Sequence, residues 1–143
     1  MTIEEKDLLL KDLTARLRYR VCAKQYYSAF EDDFIIEGII GEQIYAAYNS
    51  IFSMTYPVEK IKPYLRPLSS MTKKEKEEIA FIRDRDFQSV RKWVYDESIK
   101  ETGNVCHVTC GEIDYCNKRH LDYRGLIEKG LALEAPEGMY RIE

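Results

Sequence analysis

Apolar residues recur at helical intervals near the start of the chain. Leu9, Leu10, Leu13 and Leu17 fall on one side, and Thr2 with Glu5 has the spacing of a capping box. The pattern predicts an amphipathic helix over residues 3–18, with Lys6, Asp7, Lys11 and Asp12 on a solvated polar side. From Tyr19 the period drops to two: Tyr19, Val21 and Ala23 alternate with Arg20, Cys22 and Lys24, as in a half-buried strand. Phe34 to Ile40 is apolar and β-branched, Gly41-Glu42 suits a tight turn, and Gln43 to Tyr48 can return beside it, which predicts a hairpin. Ile51-Phe52-Ser53-Met54 offers one more short strand before Pro57. Residues 19–56 therefore read as a small antiparallel meander packed on the first helix, either a curled sheet or a barrel-like closure.

Pro57, Pro63 and Pro67 remove backbone donors and hold the residues before them extended, so residues 57–71 read as an irregular connector. Thr72 and Glu75 repeat the capping-box spacing. Ile79, Ile82, Val90, Trp93 and Val94 then share a helical face, predicting a long helix from 73 to about 95, bent or broken near Asp84 to Asp86. A third box, Thr109 with Glu112, opens a short helix through Asn117. Gly125 and Gly130 bracket a last helical turn, and Leu131-Ala132-Leu133 reads as a closing strand. The whole is expected to be an α+β fold in a single domain, residues 1–143, with a β-rich part at 19–56, a connector at 57–71 and a helical part at 72–143.

Composition narrows the class. At 143 residues, with 45% hydrophobic and 33% charged residues, the chain can bury a core and does not have the make-up of a disordered tail. The net charge of -3 comes without any long block of one sign, so bulk electrostatics selects no partner. The amino terminus is acidic where a secretory signal is basic, and no apolar run approaches the ~18 residues of a membrane span. Four cysteines, three of them crowded between Cys106 and Cys116, read as reduced thiols. A soluble cytoplasmic protein, with no membrane partner, is the expectation.

The candidate chemistry is modest. Tyr123 and Arg124 combine a stacking face with a planar fork suited to a carboxylate or phosphate, against an architectural reading in which Arg124 bonds backbone carbonyls or Asp122. Lys73, Lys74 and Lys76 put positive charge at a helix start that favours negative, a conflict an anionic ligand would resolve; Glu75, Glu77 and Glu78 nearby neutralise much of it. The best metal set is Cys106, Cys110, Cys116 and His120, but it lacks a C-x-x-C knuckle, and only Cys116 and His120 share a helix face; no metal and no cofactor is expected. The same Cys and His give no sign of the third group that nucleophilic catalysis needs. Acids at Glu31, Asp32, Asp33 and Glu37 sit where a turn enters a strand, and nothing selects them as a catalytic pair. Eleven tyrosines suggest half-buried and interface positions.

Two stretches, Lys62-Pro63-Tyr64-Leu65-Arg66-Pro67-Leu68-Ser69-Ser70-Met71-Thr72 and Asp122-Tyr123-Arg124-Gly125-Leu126-Ile127-Glu128-Lys129-Gly130-Leu131-Ala132-Leu133-Glu134-Ala135-Pro136, resemble a group of small uncharacterised proteins of phages and mobile elements of gut bacteria. The resemblance covers these two stretches only and implies origin; the group has no activity, cofactor or catalytic residue to lend. Where its members carry an aromatic after the His, this chain has His120-Leu121, so a role resting on that aromatic does not carry over. Physically, the first stretch is a stiff segment pinning Tyr64 and Leu65 to the core, and the second carries turn glycines with Leu126 and Ile127 facing inward. The expected function is that of a non-enzymatic accessory protein binding a host or viral macromolecule, a protein first of all, through its tyrosines and the Tyr123-Arg124 turn. The alternative is a binder of nucleic acid or a small phosphorylated ligand, at the lysine-rich helix start or on a face of the β-meander.

Overall fold

The computed structural model describes residues 1–25, 33–48, 52–86 and 109–140. Its order is helix α1 (Ile3–Arg16), strands β1 (Cys22–Gln25), β2 (Phe34–Ile40), β3 (Gln43–Tyr48), β4 (Phe52–Pro57) and β5 (Ile61–Leu65), helix α2 (73–86), helix α3 (Cys110–Lys118) and strand β6 (Leu133–Glu134). All three capping boxes form: Thr2, Thr72 and Thr109 each exchange hydrogen bonds with the Glu three residues on. The predicted continuation of α2 toward residue 95 lies outside the described residues. No described helix is long and apolar enough to cross a membrane.

The fold is α+β, built on one six-stranded mixed sheet in the order β4-β3-β2-β1-β5-β6. Every neighbouring pair is antiparallel except β5 with β6, and among the described residues the two ends of the row do not pair, so the sheet is open and no barrel closes. The predicted hairpin is β2–β3, with Gly41 at φ +58 in its two-residue link, a conformation that costs glycine nothing. A register shift between Ile36 and Gly38 exchanges the faces of β2. Phe34 and Ile36 point to the core before it and Ile39 packs against the core after it. The strand expected from Tyr19 starts only at Cys22, because Leu17–Tyr19 continues α1 as a tight turn and Arg20 then takes φ 59.

The connector expectation is corrected. Residues 61–65 form β5, an inner strand between β1 and β6, despite Pro63. The register puts Pro63 opposite Ala23, between positions whose backbone groups face β1, so the ladder asks no donor of it there. One step along, Cys22 and Tyr64 come opposite but do not bond directly. The Tyr140 hydroxyl stands between them, accepting from Cys22 N at 3.0 Å and donating to Tyr64 O at 2.8 Å. A side chain from the carboxy-terminal segment thus completes a rung of the sheet.

Leu9 and Leu13 of α1 meet Val21, Ala23, Phe34, Ile36, Ile44, Ala46, Val58, Ile61 and Leu65 of the sheet region, and Leu126, Leu131 and Ala132 close the same core. The pinning of Tyr64 and Leu65 is borne out, since both are buried. Helices α2 and α3 join mainly through polar contacts: Arg83 with Glu112, Arg119 with Glu78, Tyr115 with Glu78, and the Asp86 carboxylate on the amide of Gly111. A Cβ on Gly111 would sit 2.3 Å from that carboxylate, so the approach requires glycine.

The rung built by Tyr140 is testable. Tyr140→Phe leaves a backbone N–H and C=O unpaired and is expected to lower unfolding free energy by about 1–3 kcal/mol in a denaturant titration. The exposed Tyr45→Phe should change it by less than about 0.5 kcal/mol; equal effects from the two would contradict the bridge.

Candidate functional site

The sequence points to the turn at Asp122-Tyr123-Arg124-Gly125, and the structure shows what holds it. Asp12 and Arg16, one helical turn apart on α1, are both 0% exposed, and Arg16 Nε donates to Asp12 Oδ2 at 2.9 Å. The remaining Arg16 nitrogens donate to Leu121 O at 2.6 Å and Cys116 O at 3.4 Å, so a buried cation collects the carbonyls at the end of α3. Arg124 Nε donates to the other carboxylate oxygen, Asp12 Oδ1, at 3.1 Å. The Tyr123 ring has the guanidinium of Arg16 5.1 Å from its centroid and that of Arg124 at 5.0 Å, and its hydroxyl donates to Asn117 Oδ1. Asp122 holds the amides of Leu126 and Ile127, both at 2.9 Å.

Tyr123 and Arg124 are thus brought together, but by inward contacts to α1 and α3. The reading of Asp12 as a solvated residue is corrected: it is the hub on which two arginines converge. The signal was in the pattern, because Leu9, Asp12, Leu13 and Arg16 follow the i, i+3, i+4, i+7 stripe of the buried face. Two buried charges in an apolar stripe, spaced to pair, announce each other.

Both turns on either side of this hub end in left-handed residues. After α3, Leu121 N bonds Cys116 O at 2.9 Å and His120 N bonds Asn117 O at 3.2 Å, a paired closure with His120 at φ 60. Leu131 N to Leu126 O and Gly130 N to Ile127 O repeat it with Gly130 at φ +73. Glycine belongs at such a position, and a histidine there costs about 1 kcal/mol in backbone strain. The His120 ring is buried and stacked on Tyr140, centroids 3.7 Å apart. Burial first, then the charges of Arg16 and Arg66, push its pKa down to about 4. Sequence reading missed both His120 as a cap and Tyr140 as its partner, since nothing local marks a contact across twenty residues.

Lys73 and Lys74 are exposed at the start of α2. The expected charge conflict there is answered from inside. Glu75, buried in the same first turn, takes Arg66 in a bidentate pair at 2.7 and 2.9 Å and also accepts from the Thr72 amide. Hydrogen bonding from Arg66 holds its carboxyl down to about 2, below the usual range. Arg66 also donates to Arg119 O and Ser70 O, so a second buried arginine gathers loops as Arg16 does.

Of the cysteine and histidine set, Cys106 lies outside the described residues, Cys110 is exposed and Cys116 is buried. Burial raises the Cys116 thiol to about 11, which keeps it protonated. Among the described residues no three His, Cys, Asp or Glu side chains gather as a metal site would require. Asp33 accepts from the Tyr64 hydroxyl at 3.0 Å; Glu31 and Asp32 lie outside the described residues. The hydroxyls of Tyr64, Tyr115, Tyr123 and Tyr140 all donate within the fold. No protein-family model matches the chain, and no curated protein or solved structure does so.

Two outcomes follow for stability. Asp12→Ala strands the buried Arg16 charge and is expected to cost about 3–5 kcal/mol. Arg124→Ala removes a partly exposed partner and should cost about 1 kcal/mol or less; comparable losses in chemical denaturation would contradict the hub. For pH, the folded His120 pKa of about 4 lies below its ordinary 6.5, so the unfolded chain takes the proton first as pH falls. Stability is therefore lost from about pH 6.5 down to about pH 4, and Glu75 adds a further loss as pH falls from 4.5 toward 2. His120→Asn tolerates the left-handed backbone and does not titrate, so its thermal midpoint should stay flat through the upper window; an unchanged slope would rule out His120 as the cause.

Proposed function

We propose that this protein acts by binding a protein of its bacterial host, or of the phage or mobile element that encodes it, in the host cytoplasm and without catalysing a reaction. The observation that carries this reading is Phe81, 69% exposed on α2, while Glu75, Glu78 and Asp86 fasten that helix to Arg66 and α3. A phenylalanine left in water forgoes about 1.5–3 kcal/mol of burial, and a rigidly mounted aromatic is a common anchor of protein interfaces. Lys74 lies two helical turns before it on the same face. The Tyr123-Arg124 turn is not taken as the contact, since the Tyr123 hydroxyl and Arg124 Nε are engaged with Asn117 and Asp12.

The second reading, a nucleic-acid or phosphorylated ligand at the start of α2, rests on the exposure of Lys73, Lys74 and Lys76. Glu75 weakens it, because the same turn already holds a carboxylate.

A photo-crosslinking side chain at position 81 separates these readings when compared in the bacterial host with the same group at the exposed position 137. One discrete protein adduct at 81 and none at 137 is expected. Phe81→Ser should abolish its formation on a crosslinker placed at position 74 while shifting the unfolding free energy by less than about 0.5 kcal/mol. Nucleic-acid adducts, or identical adducts at both positions, would overturn the proposal.

A further inference from the structure

The sheet has two ends, and they are finished differently. β6 is two residues long, carries Glu134 and is followed by Pro136, so it offers little to a passing strand. β4 runs six residues as Phe52-Ser53-Met54-Thr55-Tyr56-Pro57 without a charge, a glycine or an interior proline. Among the described residues it shows no charge, bulge or interior proline of the kind that commonly blunts an edge.

The hydrogen-bond register tells which of its groups are free. Val58 N bonds Glu42 O, so the even-numbered residues of β4 face β3 and pair Tyr56 with Ile44, Met54 with Ala46 and Phe52 with Tyr48. The backbone N–H and C=O of Ser53 and Thr55 consequently face outward, and the side chains of both residues are exposed. Among the described residues, nothing pairs with that edge.

We infer that two copies of this chain associate through β4, antiparallel about a twofold axis at Met54. In that register Ser53 stands opposite Thr55 of the second copy and Thr55 opposite its Ser53, each pair exchanging two backbone hydrogen bonds while the hydroxyls meet across the strands. Pro57 ends the ladder, since it has no N–H to give. Self-complementarity makes a second copy the occupant: each chain offers at Ser53 and Thr55 the backbone groups and hydroxyls that the other needs, and with no charge on β4 the net charge of -3 acts only at longer, screened range. The two sheets then become one of twelve strands, with Tyr45, next to Thr55 on β3, on the same open face near the seam.

Analytical ultracentrifugation up to about 0.5 mM tests this with the native full chain and two variants of it. The native protein should dimerise reversibly. Thr55→Lys should raise the dissociation constant at least about tenfold with a circular dichroism spectrum and unfolding midpoint that match the native chain's at dilutions where both are monomers, because the side chain is exposed. Adding Ser53→Glu to it places Glu opposite Lys in the proposed register and should restore the dimer. A native chain that stays monomeric throughout, a Thr55→Lys variant that dimerises as well as the native chain, or a double variant that remains a monomer would each overturn the inference. Should Thr55→Lys fail to fold, Ser53→Lys with Thr55→Glu tests the same register from the other side.

Discussion

A full positive charge at 0% exposure is the constraint around which this fold is arranged. Removing a guanidinium from water is costly unless its charge is paired and its nitrogens find acceptors, and each Arg16 nitrogen has one, in one carboxylate and two carbonyls, with an aromatic face beside them. Those partners come from α1, from the end of α3 and from the turn after it. The need to satisfy one side chain therefore fixes segments about a hundred residues apart in sequence. Asp12 in turn draws in Arg124, and Tyr123 lies against both arginines.

Arg66 repeats the device at the other side of the carboxy-terminal segment. Its side chain binds Glu75 and two carbonyls, while its backbone bonds His120 O and the Asp122 amide, joining β5 to the same turn. Between the two arginines run Leu121, Leu126 and Leu131, five residues apart and all buried, each delivered to the core by a capped turn. The segment has little regular structure, yet polar contacts determine its path almost residue by residue. On this inner side α2 is fastened to Arg66 and α3 through its acids, and that anchoring fixes where the exposed Phe81 stands.

Much of the scaffold was legible because it follows local rules. The three Thr and Glu capping boxes, the hairpin turning at Gly41 and the turn glycines 125 and 130 each depend on residues close in sequence. The connector was misjudged for the opposite reason: whether Pro63 breaks a strand depends on which way its nitrogen faces, and that is set by β1 forty residues earlier. Asp12 hid because charge on a helix is ordinarily solvated, though its place in the stripe of Leu9, Leu13 and Arg16 betrays it. Arg124 was recognisable as a residue with a purpose, but its partner was not, because an ion pair to α1 leaves no trace in the local pattern. Tyr140 replacing a backbone rung could not be read from any spacing.

If Arg16 is the pin, the turn after α3 cannot open while α1 stays folded. Native-state hydrogen exchange at the amides of Leu121, Leu126 and Leu131, compared with Leu13 of α1, measures this most directly. The account predicts one opening free energy for all four, equal to that of global unfolding. Exchange at the three later leucines through a lower-energy opening that leaves Leu13 protected would contradict it.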